Sequence, residues 1–155
     1  MISFNSATIE DVLTHFSVNT SDLKKVISEA LSKGGDYADL FFEHTINNAL
    51  SLRDGEVNRA SSNIDFGVGV RVVTGDQTGY AYVENTHITD MLRAAKTAAE
   101  IATLPKAINP IDIHEKKFRN HYKIEKPWED ISVSQKKNYL EKLNKRVFDL
   151  DKRVI

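Results

Sequence analysis

Residues 37–83 read with a period of two and are broken by two turn dipeptides, Asp54-Gly55 and Gly75-Asp76. Parallel neighbours need a crossover of about a dozen residues or more, so strands joined by such short reversals must run antiparallel. Ala38, Leu40, Phe42, His44 and Ile46 alternate with Tyr37, Asp39, Phe41, Glu43 and Thr45, as in a half-buried strand. A second strand is expected from about Glu56 to Ser62, a third from Asp65 to Thr74 and a fourth from Gln77 to Val83. The fold class that follows is α+β: an antiparallel meander of about four strands flanked by helices.

If Gly75-Asp76 is a two-residue turn, Val68, Val70 and Val72 face Val83, Ala81 and Gly79 on one side of the sheet. The other side then sets Arg71 against Tyr80 and Gly69 against Tyr82, with Arg71 stacked on Tyr80 and Tyr82 covering the bare backbone of Gly69. A slip of one residue would exchange the two faces. Gly67 and Gly69 mark either a bend in a twisted sheet or a close approach of another backbone, and the bend is favoured.

Helical spacing flanks the strands on both sides. Residues 8–16 suit a short first helix. Leu23, Val26, Ile27, Ala30 and Leu31 share one face of a second, with Thr20 or Ser21 as cap and Gly34 left-handed at its end. Met91, Leu92, Ala95, Ala98, Ala99 and Ala102 form the stripe of a third, opened by Thr86 or Thr89 and ended before Pro105. Its alanines allow it to lie close on the sheet. Residues 105–131 hold all three prolines and read as loop, with a strand near Lys117 to Glu125. A last helix from about Ser134 to Phe148 carries Tyr139, Leu140, Leu143 and Val147. Residues 1–104 are therefore taken as an N-terminal α+β domain. Residues 105–155 are taken as loop, helix and the start of a following region, because Asp151 to Ile155 resembles the first residues of a strand.

Lys and Arg total 21 against 22 Asp and Glu, a net charge of −1. Nucleic-acid binding depends on clustered positive charge, so no nucleic-acid partner is expected. There is no cysteine, hence no disulfide, thiolate metal site or cysteine nucleophile. No apolar run reaches the roughly 18 residues of a membrane span, and Met1-Ile-Ser-Phe-Asn5 lacks the features of a signal peptide. The expectation is a cytoplasmic protein with no membrane partner.

The search for chemistry returns little. Gly67-Val68-Gly69 has Val72 where a phosphate-binding loop needs its third glycine, and a strand follows instead of a helix. His114-Glu115 is followed by His121 seven residues on. On a helix the two histidines would lie about 10.5 Å apart along the axis, too far for one zinc, whose nitrogen ligands sit at about 2.0–2.1 Å. His44 reads as a buried, hydrogen-bonded histidine, and His15 and His87 as helix-end residues. Ser134-x-x-Lys137 matches a serine-enzyme motif without its partner motifs, so Ser134 is read as a helix cap. Asp36, Asp39, Glu43 and Asp54 show no defensible pairing. The expected sets of catalytic, cofactor-binding and metal-ligating residues are all empty: none in this chain.

Asp36-Tyr-Ala-Asp-Leu-Phe-Phe-Glu43, Leu52-Arg-Asp-Gly-Glu56 and above all Asn63 to Tyr82, with its glycines, Arg71 and Thr-Gly-Tyr-Ala ending, resemble the opening of the TldD/PmbA family. The Ala-rich helix that follows fits as well. The start at Asp36 is more similar to the TldD branch than to the PmbA (TldE) branch. The resemblance covers residues 21–103 strongly and the rest loosely.

Members of this family were named modulators of DNA gyrase and are regarded as metallopeptidases acting on peptides and small or unfolded proteins. The resemblance implies a full-length parent with a divalent metal, zinc, held by an HExxxH motif in a later region, and a TldE/PmbA-like partner subunit or self-association. No position of this chain fits that motif. The chain thus resembles a non-catalytic N-terminal domain, cut before the metal motif, inactive alone and contributing to a peptide chamber and to subunit contacts. An exposed sheet edge could take a peptide as an added strand. The alternative is a stand-alone protein-binding module without enzymatic activity. A nucleic-acid factor, suggested only by the old family name, ranks last.

Overall fold

The computed structural model describes residues 8–103, 112–116 and 124–154. Its elements are α1 (Ile9–His15), α2 (Thr20–Ala30), β1 (Tyr37–Arg53), β2 (Glu56–Thr74), β3 (Gln77–Val83), α3 (Ile88–Ile101) and α4 (Val133–Leu150), with a 3-10 turn at Trp128–Asp130. The α+β expectation holds, with three strands in the order β1-β2-β3 in place of about four. The expected second and third strands are one. The break expected between Ser62 and Asp65 holds no residue that must leave the extended conformation, and β2 continues through it. The strand expected near Lys117 to Glu125 falls mostly outside the described residues.

The described residues form two compact units. One contains residues 8–45, 65–103 and 112–116; the other contains 46–64 and 124–154. Both long strands contribute to both units.

In the first unit Gly75 has φ 53° while Asp76 does not share its positive φ, the pattern of a type II′ hairpin turn. That turn fixes the expected register: Val68 opposite Val83, Gly69 opposite Tyr82, Val70 opposite Ala81, Arg71 opposite Tyr80 and Val72 opposite Gly79. Val68, Val70 and Val72 point into a core closed by Val26 and Ala30 of α2 and by Met91, Ala94, Ala95 and Ala98 of α3. Thr74 is buried among them and donates its hydroxyl to the Ala102 carbonyl (3.1 Å). Alanines let α3 come within backbone distance of the sheet. A Cβ built on Gly79 would collide with the carbonyl oxygen of Ala98 and lie 3.2 Å from the Ala102 nitrogen.

Several caps differ from the sequence reading. The second helix is capped by Asn19, whose side chain accepts from the Asp22 N–H, so Thr20 and Ser21 lie inside it. His87 caps α3 without a side-chain bond, and Thr86 instead donates to the Phe16 carbonyl (2.6 Å). The cap of α4 is Ser132, not Ser134. Ser132 and Gln135 form a reciprocal capping box, which satisfies two backbone donors where Ser134 could satisfy one.

The first helix also starts on a capping box: Thr8 accepts from the Asp11 N–H, and Asp11 accepts from the Thr8 N–H and hydroxyl. The backbone bond from Thr8, and then its hydroxyl, hold the Asp11 carboxyl below its ordinary value of 3.8. A depressed carboxylate stabilises the folded form above its unfolded pKa and loses that contribution as pH falls through the lower, folded one. Amide exchange of residues 9–15 is therefore expected to accelerate as pH drops below 3.8, ahead of α2, once the intrinsic pH dependence of exchange is subtracted. Equal responses of α1 and α2 would refute this role for Asp11.

In the second unit, Asp54 (φ 52°) and Gly55 (φ 79°) both take positive φ, the signature of a type I′ turn. The Lys136 ammonium lies 4.3 Å from the centre of the Trp128 ring. Hairpin residues 48–50 and 60–62, with Trp128, Val133 and Lys136, line a cavity of about 300 Å³.

Candidate docking face

One face of the first unit's sheet is covered by α2 and α3; the other is open. Alternation along the strands sends Tyr37, Asp39 and Phe41 of β1, Gly69 and Arg71 of β2, and Tyr80 and Tyr82 of β3 to the open side. Phe41 is 61% exposed and Tyr82 66%. Arg71 and Asp39 form a two-pronged ion pair at the middle of this face, Nε to Oδ1 at 2.9 Å and Nη2 to Oδ2 at 3.0 Å. Bonding to Asp39, and then its charge, push the Arg71 guanidinium above its already high ordinary value. Asp39, Phe41, Gly69, Arg71 and Tyr80 line a cavity of about 350 Å³.

Two details of this face correct the sequence reading. The partner of Arg71 is the Asp39 carboxylate, not a stacked Tyr80. Gly69 is covered by Tyr80, not by Tyr82: a Cβ there would run into the Tyr80 hydroxyl and lie 2.9 Å from Cε2 and Cζ. The diagonal neighbour lies over the gap because its ring leans along the strand, whereas Tyr82 stands directly opposite. Gly67 has φ 155°, and a Cβ on it would meet the carbonyl oxygen of Val83, so the backbone that approaches it is the chain's own β3 end.

His44 is exposed, contrary to the buried position expected of it, but it is hydrogen-bonded: its Nδ1 lies 2.6 Å from Nε2 of His15, at the end of α1. One imidazole donates and the other accepts. The pair borders an aromatic cluster in which Phe16 meets Phe42 (5.1 Å between ring centres) and Phe66 (5.5 Å). Two nitrogens on one tetrahedral zinc, each about 2.0–2.1 Å from it, would lie about 3.3 Å apart, so 2.6 Å is the spacing of a hydrogen bond and not of a ligand pair.

Among the described residues no three histidine or carboxylate side chains converge as a metal site. His114 and Glu115 are exposed and outside helix and strand, and His121 lies outside the described residues. Asp36 accepts from the Gly75 N–H (3.0 Å), Glu43 from the Thr45 hydroxyl (2.9 Å), and Asp54 lies beside Arg53. Among the described residues the donor set does not suit a divalent metal. Among the described residues no helix is long and apolar enough to cross a membrane.

The geometry is that of an α+β domain with one aromatic, ion-paired sheet face left open. Residues 38–102 match PmbA/TldA metallopeptidase domain 1. The chain belongs to the PmbA/TldD family and carries its first domain. It is 30% identical over 148 residues to a metalloprotease TldD homolog of Buchnera aphidicola from Schizaphis graminum, covering 94% of this chain and 30% of that protein. The homolog from the Acyrthosiphon pisum symbiont is 27% identical over 146 residues, with the same coverage. A Haemophilus influenzae TldD homolog is 31% identical over 108 residues, 65% of this chain and 22% of that protein. The chain thus spans less than a third of the length of these relatives.

Proposed function

We propose that this chain is a non-catalytic N-terminal domain of a TldD-like metallopeptidase that degrades or processes peptides and small unfolded proteins. Its role is to contribute a wall of the peptide chamber and contacts between subunits, either with a TldE/PmbA-like partner or with a second copy. The observation that carries this reading is the open sheet face. Tyrosine and arginine are the residue types that dominate binding energy at interfaces, and here Tyr37, Tyr80 and Tyr82 share the face with an ion pair that Arg71 itself forms. The outer strands β1 and β3 also offer edges along which an extended peptide can lie. The relatives carry the name metalloprotease, whereas this sequence contains no HExxxH. A divalent metal, zinc by this reading, belongs to the rest of the parent protein, and no catalytic step is assigned to these residues.

The test compares this chain with the full-length Schizaphis graminum symbiont homolog, using unfolded casein and added Zn²⁺. The homolog is expected to cleave casein and this chain to leave it intact. Cleavage by this chain that a chelator abolishes would overturn the non-catalytic reading. Alanine in place of the homolog's counterparts of Arg71 and Tyr80 is expected to raise KM or separate subunits about tenfold more readily. An unchanged KM and assembly would show that the face is idle.

A further inference from the structure

The last helix has more apolar surface than its own unit covers. Its half-buried positions, Lys136, Leu140, Glu141 and Asn144, follow one side of the helix. Tyr139, Leu143, Val147 and Leu150 recur at steps of three and four residues on the adjoining side, and they are 43–75% exposed. An 18-residue helix with a solvated polar face has no local reason to place four large apolar side chains in water. A stripe of this kind marks a surface that another polypeptide covers.

The identity of the cover follows from the lengths of the relatives. The alignment with the Schizaphis graminum symbiont homolog takes in 94% of this chain, leaving too few residues outside it to omit α4. In that protein the aligned segment is 30% of the polypeptide, so a counterpart of α4 lies within a chain more than three times as long as the matched part. We infer that the Tyr139–Leu143–Val147–Leu150 stripe is an interdomain surface, buried in TldD-type proteins against the portion of the polypeptide beyond the matched 30%. Lys142 and Arg146 border the stripe, so the covering surface is apolar with an acidic rim. This inference rests on the reading of the chain as one domain of a larger peptidase.

The absence of native cysteine permits a direct test. Leu143→Cys is made in this chain, and the aligned position is changed to cysteine in a cysteine-free version of the full-length symbiont homolog; both are labelled with a maleimide. Lys145→Cys, on the polar side, serves as the control. Labelling at the position of Leu143 is expected to be at least 100-fold slower in the full-length protein than in this chain, with equal rates at the control position. Equal rates at both positions would overturn the interdomain assignment while leaving the peptidase reading to the casein assay. Protection in this chain that rises with its own concentration would also overturn it, by assigning the stripe to a second copy.

Discussion

Gly79→Ala is expected to destabilise the first unit by about 3 kcal/mol, near the upper end of what overpacking a core costs. The added methyl group would occupy the place of the Ala98 carbonyl oxygen, and that oxygen cannot simply swing aside. It accepts the hydrogen bond from the Ala102 N–H (3.2 Å) that closes the C-terminal end of α3. Accommodation requires lifting α3 off β3, and with it the burial of Ala94, Ala95 and Ala98. In a domain of this size each kcal/mol is worth roughly 4–8 °C, so the melting temperature should fall by roughly 12 °C or more. Gly55→Ala gives the contrast: nothing lies within 4 Å of a Cβ there, and only its positive φ matters, at about 1 kcal/mol. If both substitutions proved equally mild, the close packing of α3 on β3 would be wrong.

The second large effect is at Met91. It is fully buried at the start of α3 and is the largest of the side chains wholly shut off from solvent, whereas the helix otherwise buries alanines. Met91→Ala therefore removes most of the side-chain volume that α3 inserts, and is expected to cost about 3 kcal/mol. Met91→Leu, which keeps the volume, should cost less than about 1.5 kcal/mol. Urea unfolding would show a lower midpoint with an unchanged slope for the alanine variant. A near-neutral Met91→Ala would mean that the site collapses onto neighbouring side chains.

Much of the core was legible because strand alternation and the Gly75-Asp76 turn constrain each other. Once the turn has two residues, every partner of β2 on β3 follows, and the valine face against the alanine helix follows from that. The caps were less legible, since serine, threonine and asparagine crowd the helix starts, and at α4 it takes the reciprocal bonds of Ser132 with Gln135 to single out one. The Asp39–Arg71 pair was missed for a different reason. A plain two-residue turn at Asp54-Gly55 would set odd positions of β1 against even positions of β2, yet the contact joins two odd positions. One residue must be taken up along the long hairpin, as a bulge does, and no residue type announces where. The parity of the outward faces was the available signal: Asp39 alternates with the apolar residues of β1 and Arg71 with the valines of β2. His44 was misplaced because alternation specifies a face and not how far a helix extends over it.

The pairing of Arg71 with Asp39 also affects how anything lands on the open face. On the docking proposal, a partner would meet a cation and an anion already joined, with no net charge between them. Long-range attraction through the solvent is then weak at this spot, and association should proceed at the unsteered rate, nearly indifferent to ionic strength. Selection among partners would be left to the fit of side chains between Phe41 and Tyr80. A face of this kind would tolerate changes in salt and discriminate by contour.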